Sequence, residues 1–138
     1  MSIGSIDHVA IVVRSIEVSL PRYRELLGLV PVEPPRVFTP QGVRLCFLPT
    51  GPDPAAKLEL IEPTDPESGV GRFLAAHGEG LHHVCLRTDD LAADLEALAA
   101  AEAELIDRAP RPGAHGLVAF IHPRTLNGVL WELLQTEG

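Results

Sequence analysis

A chain of 138 residues, 46% of them hydrophobic, is long enough for one compact domain or for two small halves sharing a core. Its formal charge of −8 is spread along the chain without a basic stripe, which argues against nucleic acid as a partner. No run approaches the roughly 18 apolar residues of a membrane span, and the first residues lack a basic region followed by an apolar run. No membrane and no signal peptide are therefore expected, and the expected location is cytoplasmic.

In chain order, residues 6–14 are β-branched and nearly continuous, as in a strand buried on both faces. Ile16, Leu20, Tyr23 and Leu27 then recur at helical spacing. Ser15 or Ser19 is the cap; Pro21 falls inside the helix in the first case and in its first turn in the second. Gly28 closes the helix. Leu29–Val37 is interrupted by prolines and predicts an edge strand. Pro40–Gly42 predicts a turn, Val43–Leu48 a strand and Lys57–Glu62 another. Residues 63–80 form a connection with a short helix around Val70–Ala76.

The order then repeats. Leu81–Thr88 predicts a strand, and Leu91, Leu95 and Leu98 mark a helix capped by Asp89 or Asp90. Glu104–Ala109 predicts a strand, Arg111–Gly116 a turn, Val118–His122 a strand and Gly128–Leu134 the last strand. Each half reads β-α-β-β-β. The expected fold is α+β, a single domain of two paired βαβββ modules (about 5–62 and 80–135, linker 63–79) in a curved mixed sheet around a cleft. Cys46 and Cys85 lie isolated in apolar runs and are expected to be reduced, buried thiols.

Four polar residues fall on the repeat. His8 and His83, 75 residues apart, hold the same position of the first strand of each module. Glu59 and Glu132, 73 apart, hold the same position of the last. Glu132 stands among Val129, Leu130, Trp131, Leu133 and Leu134, where an ionised carboxylate is costly without a partner. Two imidazoles and two carboxylates on one inner face suit a divalent first-row metal. The competing explanation makes each His a hydrogen-bonded core residue and pairs Glu132 or Glu59 with Arg87 or Lys57. Chance placement of all four on two repeated positions is the less economical account. His82 points away from His83 and is the alternative ligand. His77, His115 and His122 read as loop or strand-end residues, with His115 able to line a cleft mouth and touch substrate.

The pieces Ile6–Ile11, Tyr23–Gly28, Leu58–Pro63, Gly78–Val84, Pro112–Gly116, Ile121–Pro123 and Asn127–Leu133 make the chain resemble the vicinal oxygen chelate superfamily. Within it, the chain resembles the methylmalonyl-CoA epimerases over nearly its full length. The resemblance implies ligand roles for His8, His83 and Glu132, with Glu59 at a position where some members place a Gln or Glu ligand. It also implies one divalent ion per chain (cobalt, zinc, manganese, nickel or magnesium), an acyl-CoA substrate and a homodimer. One departure stands out. Some members carry an acidic residue just after the Gln-Gly-Val turn and use it as a base, whereas here Arg44, Leu45 and Cys46 follow.

The implied reaction interconverts the two epimers of methylmalonyl-CoA. A proton leaves one face of the α-carbon and returns to the other, and the enolate between is stabilised by a chelated ion. Glu132 is the expected base and Glu59 its expected partner. Arg111, Arg124 and Lys57 are candidates for the CoA phosphates. Three rival functions use the same fold: a glyoxalase I-type lyase, a ring-cleaving dioxygenase and a non-enzymatic small-molecule binder. A ligating Glu59 argues against the dioxygenase, which needs extra open positions, and a pure binder has no use for four ligands.

Overall fold

The computed structural model describes residues 2–136. Among them the chain forms two compact units: His8–His82, and the residues up to Asp7 together with those from His83 onward. Each carries the order that the hydropathy pattern predicts.

The His8–His82 unit contains most of β1 (Ile6–Val12), then α1 (Ile16–Leu27), β2 (Arg36–Phe38), β3 (Val43–Pro49), β4 (Lys57–Pro63) and α2 (Gly69–His77). Its strands lie in the order β2-β3-β4-β1; β1 and β4 are parallel and the other pairs antiparallel. Alternation along the strands separates two faces. One face sends Cys46, Leu48 and Leu60 against Ile16, Leu20 and Tyr23 of α1, which forms the core of this unit. The other face carries His8, Ala10, Phe47 and Glu59. Burial in the first face pushes the Cys46 thiol up from its ordinary value, an effect that nearby Arg44 only partly opposes.

Ser15, not Ser19, caps α1, accepting from the Val18 N–H, and the Ile16 N–H donates to Glu62 Oε1 at 2.8 Å. Pro21 therefore lies inside the helix. The N–H it lacks would have gone to the Glu17 carbonyl, on an exposed residue where water can serve instead. Gly28 ends the helix at φ 68°, donating to the Arg24 carbonyl while Leu29 donates to that of Tyr23. The expected edge strand at Leu29–Val37 shrinks to the three residues of β2. Pro31, Pro34 and Pro35 each remove a donor, so the stretch before Arg36 has too few N–H groups for a ladder.

The other unit contains the larger part of β5 (Gly80–Arg87), then α3 (Leu91–Ala100), β6 (Arg111–Pro112), β7 (Gly116–Ile121) and β8 (Trp131–Thr136). Its order is β5-β8-β7-β6, with β5 and β8 parallel and the rest antiparallel. Leu91 and Leu95 of α3 pack on Ala119, Ile121 and Leu133, and Ile3 joins that core. Residues ahead of β1 belong here because Gly4 donates to the Arg87 carbonyl and Arg87 donates back to Ser5. Asp7 takes the Arg87 Nε at 2.8 Å. Asp90 rather than Asp89 caps α3, accepting from the Ala93 N–H.

Glu104–Ala109 is not the predicted strand. It makes one isolated bridge, Leu105 to Ile121, after which the N–H groups of Ile106 and Asp107 both donate to the Phe120 carbonyl. The Asp107 carboxylate then takes the Phe120 N–H at 2.9 Å. A side chain replaces a ladder partner there, and pairing resumes only at β6, inside the predicted turn. Cys46 and Cys85 are buried and in no disulfide. Among the described residues no helix is long and apolar enough to cross a membrane.

Candidate metal and proton-transfer site

The register of each unit assembles the same small group. In the first, parallel pairing sets Ala10 beside Glu59, and antiparallel pairing sets Phe47 directly across from Glu59. His8 lies two residues before Ala10, so it shares their face. Its Nε2 stands 3.4 Å from Glu59 Oε1, and its ring meets Phe47 edge-on with centroids 5.3 Å apart. In the second unit Cys85 pairs with Glu132, and Phe120 lies across from Glu132. His83 Nε2 stands 3.1 Å from Glu132 Oε1, and its ring meets Phe120 edge-on at 5.5 Å. Each histidine is thus paired with the glutamate of its own module.

These four residues are 4–6% exposed, which makes an unpartnered charge on any of them expensive. A first-row ion with bonds of about 2.0–2.2 Å holds adjacent donors about 3 Å apart. Within each pair, one imidazole nitrogen and one carboxylate oxygen already stand near that separation, in a donor set that such ions accept. The residues present fit a divalent metal.

The other candidates fall elsewhere. His82 points to the opposite side, its ring edge-on to Phe73 of α2 at 4.9 Å. His115 is exposed in the turn between β6 and β7. His77 ends α2 with its ring 4.8 Å from Phe73. His122 caps a short 3-10 turn and accepts from the Arg124 N–H. Arg124 is held by both carboxylate oxygens of Glu104, and its donated hydrogen bonds lower that carboxyl's pKa from the ordinary value. Arg87 pairs with Asp7 rather than with a glutamate of the repeat. Arg44 turns to the outer face, where Glu17 takes both of its Nη groups, and that hydrogen bond is the main cause that lowers the Glu17 pKa. On the site face β3 offers Val43, Leu45 and Phe47, and Leu45 is 3% exposed. No carboxylate on β3 serves as a second base.

Phe47 and Phe120 escaped the sequence reading. They are 73 residues apart, the same separation as Glu59 and Glu132, so extending the repeat to the third strand of each module would have found them.

Residues 7–120 match the Glyoxalase/Bleomycin resistance protein/Dioxygenase superfamily, and the chain belongs to it. More particularly, the chain is 36% identical to the ethylmalonyl-CoA/methylmalonyl-CoA epimerase of Cereibacter sphaeroides over 96% of its length and 98% of that protein's. It is 42% identical to the Bacillus subtilis protein YqjC, over 96% of this chain and 93% of that one. Among solved structures, a variant of the Streptomyces coelicolor methylmalonyl-CoA epimerase in complex with 2-nitronate-propionyl-CoA superposes with a TM-score of 0.90 at 33% identity. That match covers 99% of this chain and 97% of that one. The fold is the one those epimerases share, and they are isomerases.

Proposed function

We propose that the chain is a metal-dependent epimerase that interconverts the two epimers of methylmalonyl-CoA. The observation that carries this is the buried His–Glu pair repeated on the site face of each module, in a chain similar to methylmalonyl-CoA epimerases over nearly all of its length. His8, His83 and Glu132, with Glu59 as fourth ligand, hold one divalent ion, of which cobalt, zinc, manganese, nickel and magnesium are all acceptable to the donor set. When bound, that ion supplies a Lewis acid for the oxygens of the thioester and its neighbouring carboxylate.

The protein's own residues do the rest. Glu132 removes the proton at the α-carbon from one face, and Glu59, on the equivalent strand of the other module, returns one to the opposite face. Phe47 and Phe120 exclude water around the two imidazoles and hold their ring planes. His115, in the exposed turn before β7, is the substrate-contacting residue of that loop. The two modules act as one domain. The chain works in the cytoplasm as a homodimer that covers its edge strands; a monomer mass by light scattering at micromolar concentration would remove the dimer.

The test offers methylmalonyl-CoA and a glutathione hemithioacetal to the same stock, purified without chelator and assayed for metal. Epimerisation of the first, with α-proton exchange into heavy water, is expected. Turnover of the hemithioacetal alone would replace the proposal with a glyoxalase I-type lyase.

A further inference from the structure

One cation lies on the site face of its own module, beside an aromatic ring of the site. Arg111 lies across from Val118 in the β6–β7 register, which puts it on the same face as Phe120 and Glu132. Its guanidinium carbon sits 5.3 Å from the centre of the Phe120 ring, the ring that meets His83 edge-on. Asp107 fixes that position with both oxygens: Oδ1 accepts from Arg111 Nε at 3.0 Å and Oδ2 from the Phe120 N–H at 2.9 Å. The carboxylate that anchors the arginine therefore also anchors the backbone of the residue it stacks on.

This arrangement leaves the working end of the guanidinium open. Among the described residues, neither Nη of Arg111 carries a hydrogen bond, and its side chain is 40% exposed. By contrast, Arg124 spends Nε and Nη2 on Glu104, and Arg44 spends both Nη groups on Glu17. All three are ion-paired, but Arg111 meets its carboxylate through Nε alone and so presents two parallel donors. A planar guanidinium with its Nη pair open matches the oxygens of a carboxylate or phosphate in a bidentate fork. Stacking on an aromatic ring reduces the rotamer freedom it would lose on binding.

We infer that Arg111 binds an oxyanion of the acyl-CoA substrate, with Asp107 as its positioning residue. The proposal rests on the acyl-CoA function above. Two groups of that substrate offer the required chemistry, the carboxylate of the acyl group and the phosphates of CoA. A thioester that keeps the acyl carboxylate but lacks phosphates separates them.

The experiment titrates the parent protein, Arg111→Ala, Arg111→Lys and Asp107→Asn calorimetrically with methylmalonyl-CoA and with methylmalonyl-N-acetylcysteamine. Epimerisation and thermal midpoints are recorded on the same stocks. Losing a charge-assisted fork should weaken methylmalonyl-CoA binding about 10–100-fold in Arg111→Ala, with partial recovery in Arg111→Lys. Asp107→Asn should weaken it less and raise KM more than it lowers kcat. If the acyl carboxylate is the anion, the loss persists with the truncated thioester; if a phosphate is, the loss disappears there. Equal affinity of parent and Arg111→Ala for methylmalonyl-CoA, or no binding by the parent, overturns the inference. Turnover by the parent with an unaffected Arg111→Ala sinks this inference alone. An Arg111-dependent affinity without turnover in any stock sinks the proposed reaction and leaves the binding role standing.

Discussion

Phe120 stands directly across from Glu132 in the antiparallel register of β7 and β8, as Phe47 stands across from Glu59 in β3 and β4. Each ring closes one side of a His–Glu pair, so one strand pairing places three side chains at once. The repeat is therefore one of packing as well as of polar residues.

Phe120 is 8% exposed, and truncation should be felt as a cavity. Phe120→Ala is expected to cost about 3–5 kcal/mol of stability in urea unfolding. Phe120→Leu keeps most of the volume and loses the edge-on contact, for a cost of about 1 kcal/mol. Equal midpoints for Phe120→Leu and the parent would mean that the ring's edge contributes nothing.

Metal content should follow the face on which each histidine lies. His83→Ala is expected to lose most of the bound ion, as measured by elemental analysis of protein purified without chelator. His82→Ala, altered on the Phe73 side, should keep it. Dialysis of the parent against chelator should abolish epimerisation, and added divalent ion should restore it. The same metal content in both variants would remove His83 from the ligand set.

Glu132→Gln keeps an oxygen that can coordinate but loses its basicity. With metal restored, kcat should fall roughly 10²–10⁴-fold, the usual weight of a general acid–base group. Glu59→Gln divides two roles. As a base, its loss should leave α-proton exchange of one epimer in heavy water while inversion stops. As a ligand only, exchange and inversion should decline together and mildly. Full epimerisation at the parent rate would pass the second proton transfer to another residue, since β3 offers only Leu45 and its apolar neighbours on that face.

Arg44→Ala tests an electrostatic contact far from the chemistry. The hydrogen bond from Arg44 is the largest cause holding the Glu17 carboxyl below its ordinary value. A carboxyl lowered on folding stabilises above its unfolded pKa, and that contribution is lost as pH falls through the folded value. The urea midpoints of parent and Arg44→Ala should therefore differ most near neutral pH and converge on acidification. A difference that grows below the ordinary glutamate range would contradict the assignment. Because Glu17 is fully exposed, salt should shrink the effect as well.

The amino-acid pattern by itself determined the βαβββ repeat and the two histidines and two glutamates that coincide on it. Strand alternation and helical periodicity are local properties, and the separations of 75 and 73 residues are visible without any coordinates. Local pattern failed at Leu29–Val37 and Glu104–Ala109. In the first, prolines removed the donors; in the second, the Asp107 side chain took a backbone N–H that a ladder would have used. Only the tertiary structure decided which glutamate each histidine meets, because that depends on β4 and β8 returning parallel beside β1 and β5. It also decided that Arg44 and Arg124 give Nη donors to carboxylates while the Nη groups of Arg111 stay open. Arg44, Arg111 and Arg124 look alike along the chain; Glu17 and Glu104 reach theirs from 27 and 20 residues away, whereas Asp107 lies only four residues before Arg111.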